Sequence, residues 1–206
     1  MRLIGQPSKR RRSRGQSLVE FALVIPVFLT VFMAIVEFSF LFSSFISVGF
    51  ASHDAVQLAS TYGDTANADT LILQRISNDI NAPANPRRIV SVDIFQVDTT
   101  TPNATPISGR ETIYNYDGGS HPFTIPGGTT TINLPFAQIQ DGYNEADRCN
   151  VNGGIGCTLG KTTVDTIGVK ITYQYAWMTP FPALIGGSGN GPLLTQINIM
   201  RLEPVL

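Results

Sequence analysis

Histidine and cysteine are scarce in this chain, with two of each among 206 residues. His53 and His121 are far apart in sequence and do not make an active site. Two cysteines without further nearby ligands fall short of a four-ligand zinc centre. The motifs of common chemistries are also missing: there is no G-x-S-x-G elbow, no H-E-x-x-H and no P-loop. Gly154-Ile155-Gly156 has neither the preceding strand nor the following helix that a dinucleotide site requires. The chain is therefore expected to be non-enzymatic and to need no cofactor and no metal.

Charge is sparse too, at 14% of residues, and it is unevenly placed. Residues 1–19 contain no acid but carry Arg2, Lys9, Arg10, Arg11, Arg12 and Arg14. Residues 20–206 hold 8 basic and all 15 acidic residues, a net of 8 − 15 = −7. A basic leader joined to an acidic body is not the profile of a uniformly basic nucleic-acid binder. KRRRSR resembles a nuclear-localisation or DNA-backbone patch, but beside an apolar run it reads as a topology signal.

That run is the dominant feature present. Between Phe21 and Phe50 the single formal charge is Glu37. As a helix these residues extend roughly 45 Å, more than the ~30 Å hydrocarbon core requires. A single membrane helix that projects beyond the bilayer fits better than a buried core helix. Retention of Lys and Arg in the cytoplasm puts the N-terminus inside and residues from about 52 onward outside. A cleaved secretory signal is the alternative, with Gly49-Phe50-Ala51 as its cleavage site, but that site lies far beyond the basic run. The expected divisions are a cytoplasmic leader (1–15), a transmembrane helix segment (16–50) and an extracytoplasmic α+β domain (51–206).

The junction itself reads GQSLVEFALVIPVFLTVFMAIVEFSF. Ser17-Leu18-Val19-Glu20 fits a capping box, with Ser17 and Glu20 satisfying free N–H groups at a helix start. Capping does not explain Gly15, nor an acid at the edge of lipid, where a charge is costly. A basic leader, a glycine and a glutamate five residues on resembles the processing site of type IV prepilins. The ordered set Gly15, Glu20, Phe21, Ala22, Pro26, Glu37 and Phe38 is similar to the N-terminal helix of TadE-like proteins, the minor pilins or pseudopilins of tight-adherence pili. MRLEP at 200–204 looks like the Arg-x-Glu ending common there.

The resemblance implies cleavage between Gly15 and Gln16 by a membrane-embedded prepilin peptidase, with Glu20 and Phe21 serving assembly. Membrane lipid, the peptidase, other pilin subunits and the secretion machinery are the implied partners, at the inner (cytoplasmic) membrane. It also implies a pilin-like α+β fold, a long N-terminal helix continuing into a small antiparallel sheet. An unpaired carboxylate at Glu20 favours a partner cation. Cleavage would liberate an α-amine with a pKa near 7.7–8, mostly protonated at neutral pH, to fill that role in an adjacent subunit. Glu37, 17 residues further along, faces a different side of a straight helix and is either a second intersubunit contact or the point where the helix meets the outer interface. The competing function is a membrane-anchored ectodomain that stays in place and binds a ligand or envelope partner.

Beyond the span, residues 46–64 continue the helix to about Thr61, with Phe50, Val56 and Ala59 at helical spacing and Leu58 beside them. Residues 67–80 read as a second helix with Asp69 as cap and Leu73, Ile76 and Ile80 on one stripe. In RIVSVDIFQV, Val90, Val92 and Ile94 alternate with Ser91 and Asp93, with a bulge at Phe95. TIGVKITYQY places Ile167, Val169, Ile171, Tyr173 and Tyr175 on one face. ETIYNYDGG, FTIPGGTTTINLP and LLTQINIMRLE read as further strands, and 100–110 and 177–192 as exposed loops. Outside the membrane Cys149 and Cys157 favour a disulfide, worth roughly 2.5 kcal/mol for so short a loop, with free thiols or a metal as alternatives. DGYNEAD at 141–147 offers oxygen ligands for calcium without EF-hand spacing, so a solvated acidic turn is the expectation. Asn103-Ala104-Thr105 matches a glycosylation sequon.

Overall fold

The computed structural model describes residues 13–100, 105–150, 157, 164–184, 186–187 and 189–203. Most of the basic leader, Asn103-Ala104 of the sequon, Gly154-Ile155-Gly156 and Pro204 of the terminal motif lie outside the described residues. The chain divides into two compact units. One holds the described residues up to Phe40 together with Trp177–Gly189, and the other holds Leu41–Ala176 and the residues from Asn190 onward.

Helix α1 (Ser13–Tyr62) contributes to both. Its 50 residues contain one proline, Pro26, which lacks the N–H that would bond the Ala22 carbonyl. Hydroxyls bond back along the helix, Thr30 to the Pro26 carbonyl and Ser39 to that of Ile35, both at 2.8 Å. Those polar groups thus need no water. The helix is long and apolar enough to cross a membrane, and none of its most apolar stretch is buried within protein. Because it already begins at Ser13, Ser17 and Glu20 lie inside it and do not form the expected capping box.

In the second unit the order is α2 (Ala68–Asp79), β1 (Ile89–Val97), β2 (Pro106–Thr124), β3 (Thr131–Asp141), β4 (Thr166–Gln174) and β5 (Leu193–Arg201). The short helix α3 (Phe181–Leu184) belongs to the first unit. The five strands form one antiparallel sheet in the order β3-β2-β1-β4-β5. The architecture is therefore α+β, a long apolar helix followed in the chain by an antiparallel sheet, as the sequence led us to expect.

The C-terminal part of α1 buries Val48, Ala51, Ser52, Ala55, Val56 and Ala59. Val56 and Ala59 are buried as expected, and Phe50, expected beside them, is instead 67% exposed. Small side chains win this seam because they let the helix backbone come close to the sheet. The Ser52 hydroxyl donates to the Val169 carbonyl of β4 at 3.1 Å, and the Ser60 carbonyl accepts from the Glu203 N–H at 2.8 Å. From α2, Ile72, Leu73, Ile76 and Ile80 are buried, the stripe its spacing predicts. In β4, Ile167, Val169, Ile171 and Tyr173 are buried as expected from alternation.

Strand β1 lies at the centre of the sheet, and six of its last six residues, Val92–Val97, are buried. Val90 departs from the expected alternation and is 43% exposed. Two residues of β1 (Ile89 to Ser91) answer one step of β4 (Tyr173 to Thr172), so Val90 is a bulge. On the other side the register shifts just past Phe95, where the extra residues belong to β2. Pro106–Arg110, expected in a loop, therefore extend β2, with Pro106 opposite Val97. FTIPGGTTTINLP is a strand end, a turn and a new strand: Gly127 takes φ 72, the value a Pro-Gly turn asks of its third residue.

Gly168 of β4 lies opposite Phe95, and a Cβ there would meet the Phe95 ring. Gly168→Ala is expected to lower stability by about 1–3 kcal/mol through overpacking, read as a drop in Tm of the detergent-solubilised full chain.

Candidate functional site

The helix start is an exposed apolar surface with one acid in it. Leu18, Val19, Phe21, Leu23 and Val24 all face outward, and Gly15 has open space around it. Gln16 is one helical turn before Glu20, and its side-chain amide donates to the Glu20 carboxylate at 3.1 Å. Gly15, Gln16, Glu20 and Phe21 thus occupy one exposed helical segment.

Glu37 is in a different situation. It is 2% exposed, on a stretch where Ile35 and Phe38 face outward and Met33, Ala34 and Val36 are half-buried. Its carboxylate accepts the Met178 N–H at 3.0 Å on one oxygen, and the Thr179 N–H at 2.7 Å and Thr179 hydroxyl at 2.5 Å on the other. Charge-assisted bonds to backbone N–H groups are a strong way to hold a buried carboxylate. The donors belong to the Trp-Met-Thr-Pro-Phe-Pro segment leading into α3, where the Thr179 hydroxyl also accepts from the Phe181 N–H at 3.3 Å. The 177–192 stretch is thus in part a built clasp rather than an exposed loop. Sequence reading offered Glu37 no partner within its own chain. The available signal was a proline-rich turn, whose N–H groups have no helix or ladder to use.

A buried polar cluster lies in the second unit, around Arg148, which has no exposed surface. Its guanidinium pairs with Asp69 at 2.7 Å, donates to the Gly63 carbonyl at 2.8 Å and to the Tyr143 carbonyl at 3.1 Å. It also lies 5.2 Å from the Tyr143 ring centroid. Burial opposes its charge, but Asp69 holds its pKa above the ordinary arginine value. Asp69 further accepts the Tyr114 hydroxyl at 2.8 Å. Burial, then the neighbouring Asp69 charge, push the Tyr114 phenol far up. Asp69 is therefore a counter-ion inside α2 and not its cap; Asn67, with φ 65, occupies the cap position.

Residues 141–147 are the expected solvated turn only in part, with Asp141 and Ala146 exposed. Tyr143 is fully buried, and its hydroxyl donates to Asp165 at 3.1 Å. Glu145 accepts the Asp69 N–H at 3.3 Å. No group of three or more His, Cys, Asp or Glu among the described residues is arranged to hold a metal. Cys149 and Cys157 form a disulfide with Cα atoms 4.8 Å apart. Asp165 braces the Cys149 end, accepting the Cys149 N–H at 3.1 Å while its own N–H donates to the Cys149 carbonyl at 2.8 Å. His53 neighbours Asp54 at 3.6 Å and His121 contacts Asp117 at 2.8 Å, so the two histidines sit in separate pairs.

Removing one partner of the Arg148–Asp69 pair leaves the other charge buried. Arg148→Met is expected to cost about 3–5 kcal/mol, measured by chemical denaturation. Burial first, then the Asp69 charge, raise the Glu145 pKa above its ordinary 4.5. The unfolded chain therefore loses that proton first as pH rises, and stability falls from about 4.5 until the folded Glu145 has ionised. Glu145→Gln, which keeps an acceptor for Asp69, is expected to remove that fall. Its Tm should exceed the parent's at neutral pH and converge with it near pH 4, in scans across that range.

Comparison with known proteins adds one match. A family model described as TadE-like protein matches residues 15–57. No match was found among curated proteins or solved structures. The matched stretch begins at the glycine ahead of Glu20, includes Glu37 and runs into the small-residue seam of α1. Over that stretch the apolar helix of this chain is similar to TadE-like proteins.

Proposed function

We propose that the protein is a non-enzymatic minor pilin or pseudopilin that is matured by a prepilin peptidase and takes part in assembling a tight-adherence pilus. The observation that carries this reading is an exposed apolar helix, within the TadE-like stretch, that sets Gly15 just ahead of Glu20. The basic leader holds the N-terminus in the cytoplasm and the sheet lies outside, where a Cys149–Cys157 bond persists. Cleavage after Gly15 removes all six cationic side chains of residues 1–15 and frees an amine on Gln16. In an adjacent subunit that amine meets Glu20, whose carboxylate is costly to leave alone in lipid. Phe21 packs beside it in the assembled contact. Glu37, already held by Met178 and Thr179, serves assembly by fixing the shape of the helix exit rather than by pairing with a free charge.

A second reading keeps the protein in the membrane as an anchored ectodomain that binds a ligand. A cavity of about 450 Å³ in the second unit favours it, lined by Asp69, Tyr114, His121, Phe123, Gln138 and Glu145 among others. Processing separates the two. Intact-mass analysis of protein from cells that possess the peptidase should give a chain starting at Gln16. Retention of Arg10–Gly15 in most of the protein would favour the anchored form. Glu20→Ala is expected to permit cleavage but impair incorporation into pili, whereas bulky substitutions at Gly15 should block cleavage.

A further inference from the structure

The segment clasped by Glu37 has a composition unlike the rest of the second half of the chain. Between Lys170 and Arg201 there is no charged residue, and Trp177-Met-Thr-Pro-Phe-Pro-Ala183 lies in the middle of that stretch. Met178 is 53% exposed, while Pro182 is buried and Phe181 half-buried. A charge-free turn with an apolar side chain outward carries nothing that would bar it from an apolar surface.

Its level along α1 identifies one. Met178 and Thr179 are bonded to Glu37, 19 residues beyond Leu18. At 1.5 Å per residue that is roughly 28 Å, close to the ~30 Å hydrocarbon thickness. With Leu18 at one boundary of the bilayer, Glu37 and the residues bonded to it are at the other. Tryptophan is enriched at that level, where an apolar ring and a polar N–H are both accommodated. The bonds from Met178 and Thr179 also explain how an acid is tolerated there, since its charge is covered before lipid closes around it.

We infer that Trp177–Ala183 is a second membrane contact, lying in the far interfacial zone of the bilayer beside the span and held there by Glu37. The occupant of this surface is the boundary between phospholipid headgroups and acyl chains, continuous with the lipid around α1. The inference depends on α1 spanning a membrane and not on the pilus reading, so either can fail without the other.

Trp177 is the only tryptophan, so its fluorescence reports on this segment alone. The full chain is reconstituted at low protein density in phosphatidylcholine vesicles brominated either near the carbonyl or deep in the acyl chain. Blue-shifted emission is expected, with strongest quenching from bromines roughly 5–10 Å below the headgroups and little quenching by aqueous iodide. Free quenching by iodide with none by bromolipid would overturn the proposal. So would bromolipid insensitivity with iodide protection that grows with protein density, because that would place another subunit on the segment. Glu37→Ala is expected to lose the bromolipid quenching and gain iodide quenching while still resisting alkaline extraction from the vesicles. Unchanged quenching in that variant would overturn the role given to the clasp.

Discussion

A charge removed from water must be met by donors or by an opposite charge, and this requirement shapes the protein at both of its units. Isolated ions in a low-dielectric setting cost several kcal/mol each. Glu37 is met by two backbone N–H groups and a hydroxyl of Met178 and Thr179. Arg148 is met by Asp69 and by the carbonyls of Gly63 and Tyr143. Met178 and Thr179 are remote in sequence from Glu37, as Asp69 and Gly63 are from Arg148, so a single polar side chain fixes how distant stretches meet. Glu20 differs, as among the described residues its carboxylate accepts from the neutral amide of Gln16. That contrast is why the proposed counter-charge for Glu20 comes from outside the folded chain.

Apolar burial is divided accordingly. The exposed part of α1 keeps its large side chains outward, while the part against the sheet buries alanine, serine and valine. One helix thus has two surfaces with opposite requirements. Bulk suits a lipid or subunit environment, and smallness suits close contact with β4. The Ser52 and Ser60 bonds to the sheet unit use polar groups that a membrane-facing helix would have to satisfy within itself.

Local pattern made much of this legible. The apolar length of α1, the stripe on α2 and the alternation in β4 depend on residues close in sequence, and each is present. What was not legible depends on partners far away. Asp69 has the position and chemistry of a cap, but Arg148, 79 residues later, claims its carboxylate. Phe50 is more hydrophobic than Ala51, but only the distance between helix and sheet decides which is buried. Pro106–Arg110 has a loop-like composition and becomes strand because Val97 offers it an edge. Of the site, Gly15, Glu20 and Glu37 were visible in the sequence as positions. The donors of Glu37 were not, because a turn rich in proline gives no sign of which acid its N–H groups will face.

The strand order has a consequence for how the chain acquires its shape. Emerging from its N-terminal side, the sheet first receives β1, β2 and β3, which pair in sequence as a meander. β1 then waits with one side of its backbone uncovered until residues 166–174 arrive to lie beside it. An open strand edge that carries Val92, Ile94, Phe95 and Val97 is a template for unwanted pairing with other chains. The interval between synthesis of Val97 and Gln174 is therefore the period in which that edge stands open.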